Sequence, residues 1–183
     1  MRMIHKTPSS LIKKISLLIL VCSLSITTKA SYILIPMNNT QTNHLKAYGI
    51  AYMSIDKNIP VDWLLNYEGG SFLIKYHNTI EKECNIRGVL FNIIADIQST
   101  EILRSIVKPE VNQDVVRLDK APKIAIYSPS NKQPWDDAVT LALSYAEIPY
   151  DVIYDEEVLS NLLPLYDWLH LHHEDFTGQY GKF

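Results

Sequence analysis

After residue 30, short apolar runs alternate with stretches of helical periodicity along nearly the whole chain, and this alternation points to the α/β class. Tyr32 to Ile35 reads as a strand, and Leu45, Tyr48, Tyr52 and Ile55 recur at helical spacing behind the polar cluster Asn38 to Asn43. Ile59-Pro60 ends that helix. Val61 to Tyr67 is strand-like, and Glu68-Gly69-Gly70 turns the chain into a second extended run, Phe72 to Tyr76. Asn78 with Glu81 has capping-box spacing for a helix that stops near Gly88; Val89 to Ile94 is then a strand and Ser99 to Val107 a helix. The segment from Pro109 to Pro122 has two prolines, several charges and little periodicity, so residues 109–122 are expected to form a linker behind an N-terminal α/β segment, 31–108.

The pattern restarts at residue 123. Lys123 to Tyr127 is a strand, Ser128 to Pro134 a polar loop, and Trp135 to Ala146 a helix with Val139, Ala142, Leu143 and Ala146 on one face. Val152 to Tyr154 and Trp168 to His172 are the following strands, joined through a connection that holds Pro164. Alternating element types favour two short β-α-β units with mainly parallel strands. Ile59-Pro-Val-Asp-Trp-Leu64 and Ile148-Pro-Tyr-Asp-Val-Ile153 both leave a helix and enter a strand, a similarity of junction chemistry that chance explains better than duplication.

Arg2, Lys6, Lys13 and Lys14 precede an apolar run, Ile15 to Ile26, that ends at Thr28-Lys29-Ala30, the order of a secretory signal peptide over residues 1–30 with cleavage near Ala30. The run is shorter than the roughly 20 apolar residues of a membrane-spanning helix, so no membrane span is expected after cleavage and the mature chain is placed in the periplasm or secreted. Cys84 is then the only cysteine of the mature chain. No internal disulfide can form, and the flanking carboxylates of Glu81 and Glu83 mark Cys84 as a buried structural thiol rather than a nucleophile. With 17 basic and 20 acidic side chains the chain carries no electrostatic footprint for nucleic acid; a small molecule or an envelope protein partner suits it better.

Three segments are candidates for chemistry. His170, His172, His173, Glu174 and Asp175 follow an apolar strand to its carboxyl end, where open parallel sheets hold their ligands. Alternation along the strand puts His170 and His172 on one face, an H-x-H pair able to grip a divalent metal ion, although two ligands alone do not complete a site. Substrate contact, or plain hydrogen bonding at a sheet edge, accounts for the same histidines; no cofactor is firmly implied. The loop Ser128 to Trp135 lies between a strand and a helix, where Ser128, Ser130, Asn131 and Lys132 would cradle an anion at the helix start. It contains no glycine, and Asp136 and Asp137 already occupy the favourable end of the helix dipole, so an ordinary capped helix start competes with the anion site. Glu68-Gly-Gly-Ser71 is explained by a hairpin turn without a ligand.

Asn43-His-Leu-Lys-Ala-Tyr-Gly-Ile-Ala-Tyr52, Val61-Asp-Trp-Leu-Leu-Asn-Tyr67, Gln133-Pro-Trp-Asp-Asp-Ala-Val139 and Asp167-Trp-Leu-His-Leu-His-His-Glu-Asp-Phe-Thr-Gly-Gln179 resemble an exported bacterial family commonly labelled asparagine synthetase B. The resemblance covers nearly all of the mature chain. It implies that the chain is a truncated amino-terminal portion, and that residues 123–183 are an incomplete flavodoxin-like, class I glutamine-amidotransferase-like domain. The family label implies glutamine-hydrolysing asparagine synthase activity. The chain lacks the amino-terminal cysteine and the Ser-Gly-Gly-x-Asp-Ser loop of that chemistry, and it has no G-x-C-x-G or G-x-S-x-G nucleophile turn, so no catalytic residue is carried over. Two functions are therefore expected: an amidotransferase- or hydrolase-like enzyme whose catalytic residues lie beyond this fragment, or a non-catalytic cell-envelope protein that binds a small ligand or partner at the sheet edge.

Overall fold

A computed structural model of the protein describes residues 31–128 and 138–171. The first part of the chain comprises β1 (Tyr32–Ile35), α1 (His44–Asp56), β2 (Val61–Leu65), β3 (Ser71–Lys75), α2 (Asn78–Arg87), β4 (Asn92–Ile94), α3 (Asp96–Ile106) and β5 (Asp114–Leu118). Its strands form one five-stranded sheet in the order β4-β1-β3-β2-β5, and every neighbouring pair is antiparallel. The expectation of parallel strands in this half is thereby corrected. Strands β1 and β2 do run in the same direction, as do β3 and β4, but β3 is inserted between the first pair and β1 between the second. Each β-α-β crossover is split, and an alternation of strand and helix cannot by itself distinguish a split crossover from one that joins neighbouring strands.

The apolar runs of this half reflect burial on both faces of the sheet. Ile33, Ile35, Phe72 and Ile74 point into a core shared with Ala47, Ile50 and Ala51 of α1 and Ile80 and Cys84 of α2. Leu34, Leu64 and Leu73 point the other way, against Ile102, Leu103 and Ile106 of α3. An antiparallel strand covered on both sides loses the alternation of apolar and polar residues that would reveal one wet face, so it reads like a parallel one.

Residues 109–122, expected as a linker, contain β5. It pairs with β2 from Val61 opposite Leu118 to Leu65 opposite Asp114. Pro109 and Pro122 flank this edge strand without interrupting its ladder. The tight turn read from Glu68-Gly69-Gly70 is present: Gly69 and Gly70 have φ of 83° and 94°, and β2 and β3 pair as a hairpin around it.

The second part comprises β6 (Ile124–Tyr127), α4 (Ala138–Ala146), β7 (Asp151–Ile153), α5 (Asp155–Leu159) and β8 (Trp168–Leu171). Its strands form a parallel sheet in the order β7-β6-β8, as the β-α-β reading of this half required. Ile124 and Ile126 pack with Leu143 of α4, and Tyr52 of α1 joins the same cluster.

Helices α1, α2 and α4 end in the same way. Asn58, Gly88 and Glu147 adopt φ of 59°, 65° and 60°, and the amides of the following Ile59, Val89 and Ile148 donate to the carbonyls of Ser54, Cys84 and Leu143 at 2.8, 2.9 and 2.9 Å. A left-handed residue followed by an apolar one, with an amide reaching back into the last turn, is a Schellman exit. The likeness of Ile59-Pro60 and Ile148-Pro149 is this shared exit, since one leads into an antiparallel strand and the other into a parallel one.

The two sheets are joined through α1. A Cβ added to Gly49 would stand 1.8 Å from the carbonyl oxygen of Ala146, so only glycine allows α1 to approach the end of α4 this closely. Glu147, just beyond that carbonyl, is ion-paired with Lys46 of α1 and, at 3.1 Å, with Arg87 of α2, whose Nε also binds Glu83 at 3.0 Å. Tyr52 donates to the carbonyl of Pro122 at 2.9 Å.

Candidate functional site at the carboxyl edge of the parallel sheet

Strands β6, β7 and β8 end together. Tyr127 pairs with Ile153 on one side and with Leu171 on the other, so the chain leaves all three strands at one edge. The two segments singled out in the sequence, one beginning at Ser128 and the other following Leu171, therefore start from neighbouring parallel strands. That is the position where open α/β sheets form a ligand crevice.

Ser128 is fixed immediately beyond β6 by its own amide, which donates to the carbonyl of Ile153 at 3.0 Å. The residue is only 1% exposed, and its Oγ is buried with no hydrogen-bond partner. Leaving such a hydroxyl unsatisfied costs about 1–3 kcal/mol, which makes it an informative atom of this edge. Ser128 is one of the described residues that line a cleft of about 510 Å³, together with Val152 to Tyr154 and with Asp155, Glu156 and Glu157 at the start of α5.

The wall is braced from within. Tyr127 donates its hydroxyl to Asp155 at 2.6 Å, and the rings of Tyr127 and Tyr154 lie 5.2 Å apart. The amide of Tyr154 donates to Glu157 Oε2 at 2.9 Å, so the glutamate caps the short helix that carries it. Asp155 and Glu157 are thus held in place by the strand ends, while Glu156 is exposed beside them. None of these residues was singled out as a site residue from the sequence, although an acidic triplet directly after a strand was the available signal.

His170 is half-buried on β8, opposite Ile126 and therefore on the same face of the sheet as that core residue. The remaining candidates, His172, His173, Glu174 and Asp175 together with Ser130, Asn131 and Lys132, lie outside the described residues, as do residues 1–30 and the expected helix start at Trp135. Among the described residues no group of three or more His, Cys, Asp or Glu side chains is placed to hold a metal ion, and no helix is long and apolar enough to cross a membrane.

Cys84 is wholly buried between α2 and the first sheet, and burial pushes its thiol up to about 12. Its environment is that of a packing residue, as the sequence indicated. The Glu68-Gly-Gly-Ser71 turn is likewise occupied internally, since Ser71 Oγ donates to the carbonyl of Tyr67 at 3.0 Å. A scan against protein-family models, a search of curated proteins and a search of solved structures each find no match to this chain.

Proposed function

We propose that this protein binds a small polar molecule in the cleft at the carboxyl edge of its parallel sheet, and that it does so as an exported protein after signal cleavage near Ala30. The observation that carries the reading is the cleft of about 510 Å³ where the three parallel strands end together, at which Ser128 is buried with its hydroxyl unpaired. A buried hydroxyl gains most from a ligand atom that completes its hydrogen bonding. Removing that hydroxyl relieves the free protein: Ser128→Ala raises stability by about 1–3 kcal/mol in chemical denaturation while weakening ligand capture. A fragment screen read by amide chemical shifts tests the site directly. Hits should converge on Ser128 and on Ile153 to Glu157, and hits scattered over the rest of the surface, together with an unchanged or lowered stability of Ser128→Ala, would remove the basis for the cleft.

A second reading is supported by the strand order. Within residues 123–171 the second, first and third strands lie side by side, the order with which a flavodoxin-like sheet begins. Under this reading the chain belongs with the exported family labelled asparagine synthetase B, as an amidotransferase- or hydrolase-like enzyme, and the edge cleft with the histidines after β8 receives its substrate. Assays of the full-length protein for glutaminase activity and for ATP-dependent asparagine formation decide it, because turnover in neither would leave the binding role alone.

A further inference from the structure

We infer that the protein binds a small neutral aromatic molecule in an apolar groove where α1 meets the β2-β5 side of the antiparallel sheet. Helices α1 and α2 contribute to the core around Ile33, Ile35, Phe72 and Ile74, and Trp63 of β2 and Leu118 of β5 lie at its margin, only partly buried. Tyr48, Tyr52 and Ile55, at helical spacing on α1, line a groove of about 200 Å³ together with Trp63, Leu118 and Ile148. The groove shares no described residue with the cleft at the carboxyl edge of the parallel sheet, so it is independent of the binding role proposed there.

The walls select the chemistry. All the described residues that line the groove are aliphatic or aromatic. The Nε1–H of Trp63 donates to the carbonyl of Gly70 at 3.0 Å and the Tyr52 hydroxyl to that of Pro122 at 2.9 Å, so both polar tips are engaged within the protein and these two residues offer a ligand ring carbon. Tyr48 meets the Phe72 ring edge-on at 5.4 Å, with 76° between the planes, and Trp63 lies 6.3 Å from the same ring, so one residue of β3 holds a ring of α1 and a ring of β2 in place. Size narrows the ligand further. An apolar cavity of about 150 Å³ is enough to hold benzene, so this space takes a single ring or a fused pair and not a helix of another chain, which is about 10 Å across. A charged molecule would lose its hydration against these walls without gaining a hydrogen-bond partner from Trp63 or Tyr52.

Two probes test the inference: indole, and tetramethylammonium as the cation that a cage of aromatic rings would prefer. Each is titrated into the full-length protein and followed by the Nε1–H signal of Trp63 and the amide shifts of Tyr48, Tyr52 and Ile55. Indole should give saturable shifts at these positions and tetramethylammonium none. Tyr48→Ala, a change at an exposed helix position, should keep the fold and weaken indole by about tenfold through the lost ring contact, and Leu118→Trp, which fills the groove, should abolish binding. If Leu118→Trp fails to fold, Tyr48→Ala decides alone. Tetramethylammonium that binds as tightly as indole would overturn the neutral ligand, and indole that leaves these signals unmoved, or that binds Tyr48→Ala as well as the parent, would overturn the site. Proton contacts in the free protein from the Tyr48 and Trp63 rings to another stretch of the chain or to a second copy would show that the groove is already filled, and would overturn the inference as well.

Discussion

Glu147 shows how much a single residue can do at a helix exit. Its left-handed backbone, with φ of 60°, costs a non-glycine residue about 1–2 kcal/mol. The same conformation places its carboxylate between Lys46 and Arg87, and the hydrogen bond from Lys46 holds the Glu147 carboxyl below its ordinary value. A depressed carboxylate stabilises the folded chain above the ordinary glutamate value of 4.5, and that contribution disappears as pH falls through the lowered folded value. Glu147→Gln should therefore flatten the acid limb of a stability-versus-pH curve below about pH 4.5, with the difference from the parent shrinking in high salt. An identical acid limb in both proteins would show that these ion pairs contribute nothing. Cys84 gives the opposite kind of test. With its thiol buried and pushed up to about 12, it should resist alkylation by iodoacetamide at pH 8 in the native protein and react fully in urea, as mass spectrometry can measure. At this scale the sequence was legible where a residue's neighbours along the chain decide its role, as at Cys84 and the Gly69-Gly70 turn. It was not legible at Ser128, whose missing partner is a fact about strands brought together from distant positions.

Among the elements, α1 carries the tightest constraint. Gly49 sits against the carbonyl of Ala146, a backbone atom that cannot rotate away, so Gly49→Ala should force α1 and α4 apart. Overpacking of this sort costs about 1–3 kcal/mol or more, and it outweighs the gain of about 1 kcal/mol in helix propensity that alanine brings in place of glycine. A lower denaturation midpoint is expected, and an unchanged or raised one would mean that α1 and the end of α4 have room for a methyl group between them. Positions of elements were readable from periodicity: the expected strands at residues 32–35, 72–76, 123–127 and 168–172 all overlap observed strands. Edges were less so. The expected capping box at Asn78 and Glu81 is replaced by His77, whose Nδ1 accepts from the Thr79 amide at 3.2 Å, while Glu81 accepts from the Tyr76 hydroxyl at 2.7 Å. Helix α5 leaves no periodic signal, because five residues are too few to show a helical period.

For the whole molecule, strand direction was the least legible property. The chain alternates strand and helix in both halves, yet one sheet is antiparallel and the other parallel, because pairing order is settled by which strands pack between others and leaves no local trace. The strand within residues 109–122 is hidden for a related reason: β5 is an edge strand with exposed Asp114, Val116 and Arg117, and its polar character masks its pairing with β2. The two sheets share α1, the Glu147 ion pairs and the Tyr52 bond, so they should unfold in one transition. Trp63 lies in the antiparallel sheet and Trp168 in the parallel one, and single-tryptophan variants retaining one or the other should report the same midpoint in urea. Separate midpoints would assign each sheet its own stability. Helix α1 also has consequences beyond cooperativity. Because Ala47, Ile50 and Ala51 pack on the antiparallel sheet while Gly49 meets the end of α4 and Tyr52 packs with the Ile124 and Ile126 cluster, a displacement of this one rod would disturb the packing of both layers at once.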